Sequence, residues 1–127
     1  MNLQPRLVLV EMDMKRCNVF GVISHVRIPV ELWKEVGLCI HTYINHTTEE
    51  YENGYRISHY QSGRVILKRL VNKKQAIEYM MKLRVVRSDW KQTYEQFMTL
   101  AGTTPIIEQV IALQDHIDTD AGREGYV

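Results

Sequence analysis

The chain has 127 residues, a net charge of +1, and a balance of 45 % hydrophobic to 24 % charged residues. That suits one folded domain over residues 1–127 and excludes a disordered, collagen-like or rod-like chain. No apolar run approaches the roughly 20 residues of a membrane helix, and Met1–Arg16 lacks the charged start and long apolar stretch of a signal peptide, so a cytoplasmic protein is expected.

Arg6–Met12 and Cys17–Ile28 are rich in β-branched and aliphatic residues and read as two strands, with the polar stretch Asp13–Arg16 as their turn. Gly21 suggests a bulge. Pro29 has no N–H for a ladder, so it is expected to end the second strand and to open a short helix over residues 30–36, closed by Gly37. Leu38–Asn45 favours strand through its β-branched residues, and His46–Gly54 is a polar connection.

Tyr55–Val71 reads as a hairpin. A loop of Gln61, Ser62 and Gly63 pairs Tyr60 with Arg64, Ser58 with Ile66 and Arg56 with Lys68. One face then carries Tyr55, Ile57, His59, Val65, Leu67 and Arg69. The other carries Arg56, Ser58, Tyr60, Arg64, Ile66 and Lys68.

Asn72 is placed to cap a helix over Lys73–Val86, with Gln75 as its capping-box partner and Ala76, Tyr79, Met80 and Leu83 on the apolar stripe. Ser88 starts a second expected helix, Asp89–Ala101, with Trp90, Tyr94 and Phe97 on its stripe. Thr104 and Pro105 start a third, with Ile106, Val110, Leu113 and Ile117. Residues 119–127 have little to bury and are expected to fray. Strands over residues 1–71 followed by helices over residues 73–118 make an α+β fold. It is an antiparallel sheet of four to five strands with two to three helices on one face.

The small net charge conceals a partition. Residues 1–55 are net −2 and residues 92–127 net −5. Between them lies a block holding Arg56, Arg64, Lys68, Arg69, Lys73, Lys74, Lys82, Arg84, Arg87 and Lys91 against only Glu78 and Asp89. Guanidinium and ammonium groups neutralise phosphates, which supplies most of the affinity in non-specific nucleic-acid binding. A tyrosine among them offers a stacking surface for an unpaired base. Lys73 and Lys74 stand at the positive end of a helix dipole, where a bound anion would offset their repulsion. Arg56, Tyr60, Arg64, Lys68, Lys73 and Lys74 are therefore the candidate nucleic-acid-binding residues. The alternative is that the basic block lies against the acidic tail, within one fold or across a subunit interface, or forms a solvated sheet face. In its order of elements, Tyr55–Val86 resembles the small strand–strand–helix DNA-binding modules of phage and plasmid recombination proteins; no residue role is carried over from them.

Enzyme signatures are not found. The seven glycines are scattered rather than gathered into a phosphate loop, and there is no Gly-x-Ser-x-Gly or His-Glu-x-x-His. Two cysteines, Cys17 and Cys39, do not by themselves make a disulfide framework or a four-ligand zinc site, and both read as buried strand residues. The histidines show no ligand spacing, and no metal or cofactor is expected.

The leading expectation is a small non-enzymatic protein whose basic hairpin and following helix engage nucleic acid. A homodimer through Trp90, Tyr94, Phe97, Ile106, Val110 and Leu113 is expected with it. Two alternatives remain open. One is a phage- or plasmid-type adaptor or inhibitor that meets an acidic protein surface. The other is a small-molecule binder with a pocket between sheet and helices near His25, His41 or Tyr43.

Overall fold

A computed structural model describes residues 5–17, 20–21, 23–42, 44–45, 50–51, 54–87, 90–91 and 104–123. Its elements in chain order are β1 (Leu7–Cys17), β2 (Ile23–Trp33), β3 (Leu38–His41), β4 (Ile44–Asn45), β5 (Glu50–Tyr51), β6 (Tyr55–His59), β7 (Arg64–Leu70), α1 (Lys73–Val86) and α2 (Thr104–Arg123). β1, β2, β3, β6 and β7 form one antiparallel sheet in that order, while β4 and β5 pair separately. The fold is α+β, as the run of strands before helices implies.

The helices cover one face. Leu38, Ile40, Ile57, Leu67 and Leu70 of the sheet meet Ala76, Tyr79, Met80 and Leu83 of α1, Ile117 of α2, and Trp33, Val36 and Trp90. Trp90 is locked in this core. Its backbone N–H donates to the Val36 carbonyl at 2.8 Å, and its indole N–H donates to the Leu83 carbonyl at 3.2 Å.

The opposite face is covered by the β1–β2 hairpin itself. Met12, Val30, Leu32 and Cys39 form a second cluster, joined by Val10, Ile28 and Tyr60. β1 and β3 are separated by β2, so a flat sheet would hold them about 10 Å apart. The Cys39 thiol nevertheless touches the Met12 sulfur at 3.5 Å. The far half of the hairpin must therefore curl back over the sheet. The Tyr60 hydroxyl latches the curl by donating to the Glu11 carbonyl at 3.1 Å.

Several expectations are corrected. Asp13–Arg16 is strand, not turn: it continues the ladder opposite Ser24–Arg27, and Arg27 bonds the carboxylate of Asp13 opposite it at 3.1 Å. Pro29 does not break β2, and no helix forms over residues 30–36. β2 pairs with β3 only over Glu31–Trp33, so at Pro29 the strand has one neighbour, and the missing N–H can face the empty side. Residues 34–37 form a turn in which the Gly37 N–H donates to the Trp33 carbonyl at 2.8 Å.

The β6–β7 register also differs. His59 faces Arg64, Ser58 faces Val65, Ile57 faces Leu67 and Tyr55 faces Leu70, with irregularities on either side of Ile57. The loop has four residues, Tyr60–Gly63, because His59 closes it from within. The Ser62 N–H and hydroxyl both reach His59 Nδ1, at 3.2 and 2.7 Å. Gly63 takes the left-handed conformation that the loop needs (φ 70°). Arg69 absorbs the second irregularity at φ 67°, unusual for a residue with a side chain.

Trp90 and Lys91 are not helical, and the rest of the expected Asp89–Ala101 helix lies outside the described residues. The last helix does not fray at residue 119. It runs on to Arg123, with the Thr119 hydroxyl donating to the Asp115 carbonyl. No helix among the described residues is long and apolar enough to cross a membrane.

Candidate functional site

The six candidate residues do not share one face. Side chains alternate along β6, and cross-strand partners point the same way. Arg56, opposite His41, therefore lies on the Ser58 side of the sheet, away from the helices. Tyr60 is half-buried, with its ring in the cluster around Met12 and Cys39 and its hydroxyl on Glu11. It serves as a latch rather than an open stacking surface. Arg64 sits opposite His59 and so belongs to the helix side, exposed at the sheet end. The extra residue in the turn moves it there. Lys68 follows the inward-facing Leu67 and is exposed on β7.

Lys73 and Lys74 are adjacent at the start of α1, which has no acidic residue in its first turn. Lys73 is ion-paired with Glu31 of β2. Arg69 meets Asp118 of α2 at 3.7 Å, and Lys82 meets Glu78 one turn away at 3.6 Å. The Arg84 guanidinium lies 5.6 Å over the Trp33 ring. Part of the basic block is thus neutralised within the fold, including one contact with the acidic C-terminal helix. Lys68 and Lys74 are different. Both are exposed, and neither ammonium group makes an ion pair among the described residues.

The neighbouring polar groups are buried and structural. The His41 Nδ1–H must be the donor to the Thr42 carbonyl at 2.9 Å, because a carbonyl only accepts. Nε2 then accepts from the Ser58 hydroxyl at 2.6 Å. Such a tautomer could activate a serine, but Ser58 is fully buried between strands, and the pair acts as a cross-strand clasp. Desolvation lowers the His41 pKa below 6.5; the Thr42 carbonyl opposes this and nearby Arg56 adds to it. Desolvation likewise lowers His59, opposed by a hydrogen bond to the Trp90 backbone. Burial pushes the Cys39 thiol up to about 12, against a hydrogen bond to the Ser58 carbonyl, so it is no nucleophile at neutral pH. The His41–Ser58 pair had no signal in the sequence, since it depends on β3 lying beside β6.

A polar cleft of about 290 Å³ opens between the curled hairpin and the β6–β7 turn, lined by Glu11, Met12, Asp13, Arg27, Tyr60 and Gln61. Its position differs from the expected pocket between sheet and helices, where Leu38, Ile57, Leu67, Ala76, Met80 and Leu83 leave their side chains no exposed surface. His25 is exposed on β2, and Tyr43 lies outside the described residues. No group of three or more His, Cys, Asp or Glu suited to a metal ion occurs among the described residues.

Of the expected dimer residues, Trp90, Ile106, Val110 and Leu113 pack on the chain's own core. Tyr94 and Phe97 lie outside the described residues. No protein-family model, curated protein or solved structure matches the chain.

Proposed function

We propose that this is a small non-enzymatic binding protein that engages nucleic acid through cations on β7 and at the start of α1. The observation that carries the reading is the pair of exposed lysines, Lys68 and Lys74, left without an ion pair among the described residues while Lys73 and Arg69 are compensated by Glu31 and Asp118. An uncompensated ammonium group gains most from a phosphate, because binding releases condensed counterions without breaking an internal pair. The α1 dipole adds to this, with a first turn whose only charged side chains, Lys73 and Lys74, are positive. Tyr60 is not part of the proposed contact.

The test is fluorescence anisotropy with labelled single-stranded and duplex oligonucleotides. The double charge reversal Lys68→Glu, Lys74→Glu is expected to weaken binding by at least about tenfold at low salt. The melting temperature should hardly change, because both side chains are exposed. Unchanged binding by the double variant would overturn the reading.

A further inference from the structure

The two edges of the main sheet are treated differently. β7 is closed by Gln114 of α2, whose side-chain amide bonds both backbone groups of Lys68. β1, at the other edge, has a continuous 11-residue register with β2 and no strand on its outer side among the described residues. Edge strands usually carry lysines, prolines or bulges that prevent pairing. Over Arg6–Val10 only Arg6 is charged, while Leu9 is 75 % exposed and Val8 39 %.

We propose that β1 pairs antiparallel with β1 of a second copy of this chain, about a two-fold axis at Val8. The register follows from the backbone. Pro29 has no N–H to give Glu11, so their pair is the widely spaced kind, and the Glu11 N–H and C=O face the outer edge. The Tyr60 hydroxyl is found on that carbonyl. By the alternation of a strand, Leu7 and Leu9 also turn their N–H and C=O outward. Tyr60 occupies the edge at Glu11, so the free stretch before it is Leu7–Val10.

A two-fold axis at Val8 lets Leu7 of each copy exchange both backbone hydrogen bonds with Leu9 of the other. Leu9 then lies beside a Leu7 that already packs against the main core, which continues across the junction. Val8 meets its own copy on the opposite face, and Arg6 faces Val10. No like charges oppose. An axis at Glu11 would set Glu11 against itself and Arg6 against Arg16, and one at Met12 would set Glu11 against Asp13. The edge is thus self-complementary, as a closed two-fold contact requires. This pairing is independent of the anion-binding reading, since β1 carries none of those cations.

Sedimentation velocity of the full chain over a wide concentration range is the test. The unaltered protein is expected to be a dimer. Leu9→Lys should be a monomer with an unchanged far-ultraviolet circular dichroism spectrum. Val8→Cys in a Cys17→Ser background should form an intermolecular disulfide on mild oxidation, because a widely spaced pair at the axis brings the two sulfurs within bonding reach. A protein monomeric at every concentration overturns the proposal. So does a dimer that survives Leu9→Lys but is lost in Ile111→Lys, which would place the contact on α2.

Discussion

Gln114 stands in for a sixth strand beside Lys68. Its Oε1 accepts from the Lys68 N–H at 3.0 Å, and its Nε2 donates to the Lys68 carbonyl at 2.9 Å. Asp118, one turn along α2, holds the amide by accepting from the same Nε2 at 3.1 Å. Gln114→Ala is expected to cost about 1 kcal/mol, because water replaces the lost bonds on this exposed edge. That lowers the melting temperature by about 4 °C. The bared edge should also aggregate on heating, which light scattering would report.

Gly37 admits no side chain. It has φ +89°, and a Cβ there would lie 2.9 Å from both the backbone carbon and the carbonyl oxygen of Trp90. Gly37→Ala is expected to destabilise by at least about 2 kcal/mol through left-handed strain and displacement of Trp90. Urea unfolding followed by tryptophan fluorescence checks this, and a midpoint equal to that of the unaltered protein would contradict it.

His41 and His59 are held neutral, with folded-state pKa values lowered from 6.5. Well above pH 6.5 neither state of the chain carries these protons, and the two residues add no pH dependence. Below it the unfolded chain takes up protons that the folded chain refuses. Stability should therefore fall with falling pH until the folded-state values are passed. The slope is at most about 1.4 kcal/mol per pH unit for each histidine. Urea midpoints measured as pH falls below 6.5 should show the decline, and His59→Gln should make it shallower. A flat profile in the unaltered protein would contradict the burial of the two rings in their neutral form.

Cys39 is buried, with its pKa raised to about 12. The thiolate fraction near pH 8 is then about one in ten thousand. In Cys17→Ser protein a thiol-specific disulfide reagent should find no reactive group under native conditions and one in urea. Rapid native labelling would show that the curled hairpin does not seal this face.

The fold class and the limits of α1 were legible because their signals are local. Asn72 does cap α1, its Oδ1 accepting from the Gln75 N–H at 2.8 Å, and Gln75 reaches back to the Val71 N–H at 2.8 Å. Misreadings arose where a tertiary contact outweighs a local rule. Pro29 survives in β2 because that stretch has a neighbour on one side only. The β6–β7 register shifts because His59 captures Ser62 within the loop, which moves Arg64 away from Arg56 and Lys68. Residues 119–123 stay helical because α2 is anchored just before them, by Ile117 in the core and by Asp118 on Arg69. The Tyr60–Glu11 latch joins residues 49 apart, and the Gln114–Lys68 closure residues 46 apart. No pattern within a window of sequence reports either contact.

The salt dependence of nucleic-acid binding tests the proposed function most directly. Measurable binding is expected at low ionic strength, with the logarithm of Kd rising linearly with the logarithm of salt concentration. Each phosphate contact should contribute roughly 0.9 to the slope on duplex DNA and roughly 0.7 on single strands. The Lys68→Glu, Lys74→Glu variant should show a shallower slope. No binding at low salt, or a Kd indifferent to salt between roughly 50 and 200 mM, would contradict the proposed function.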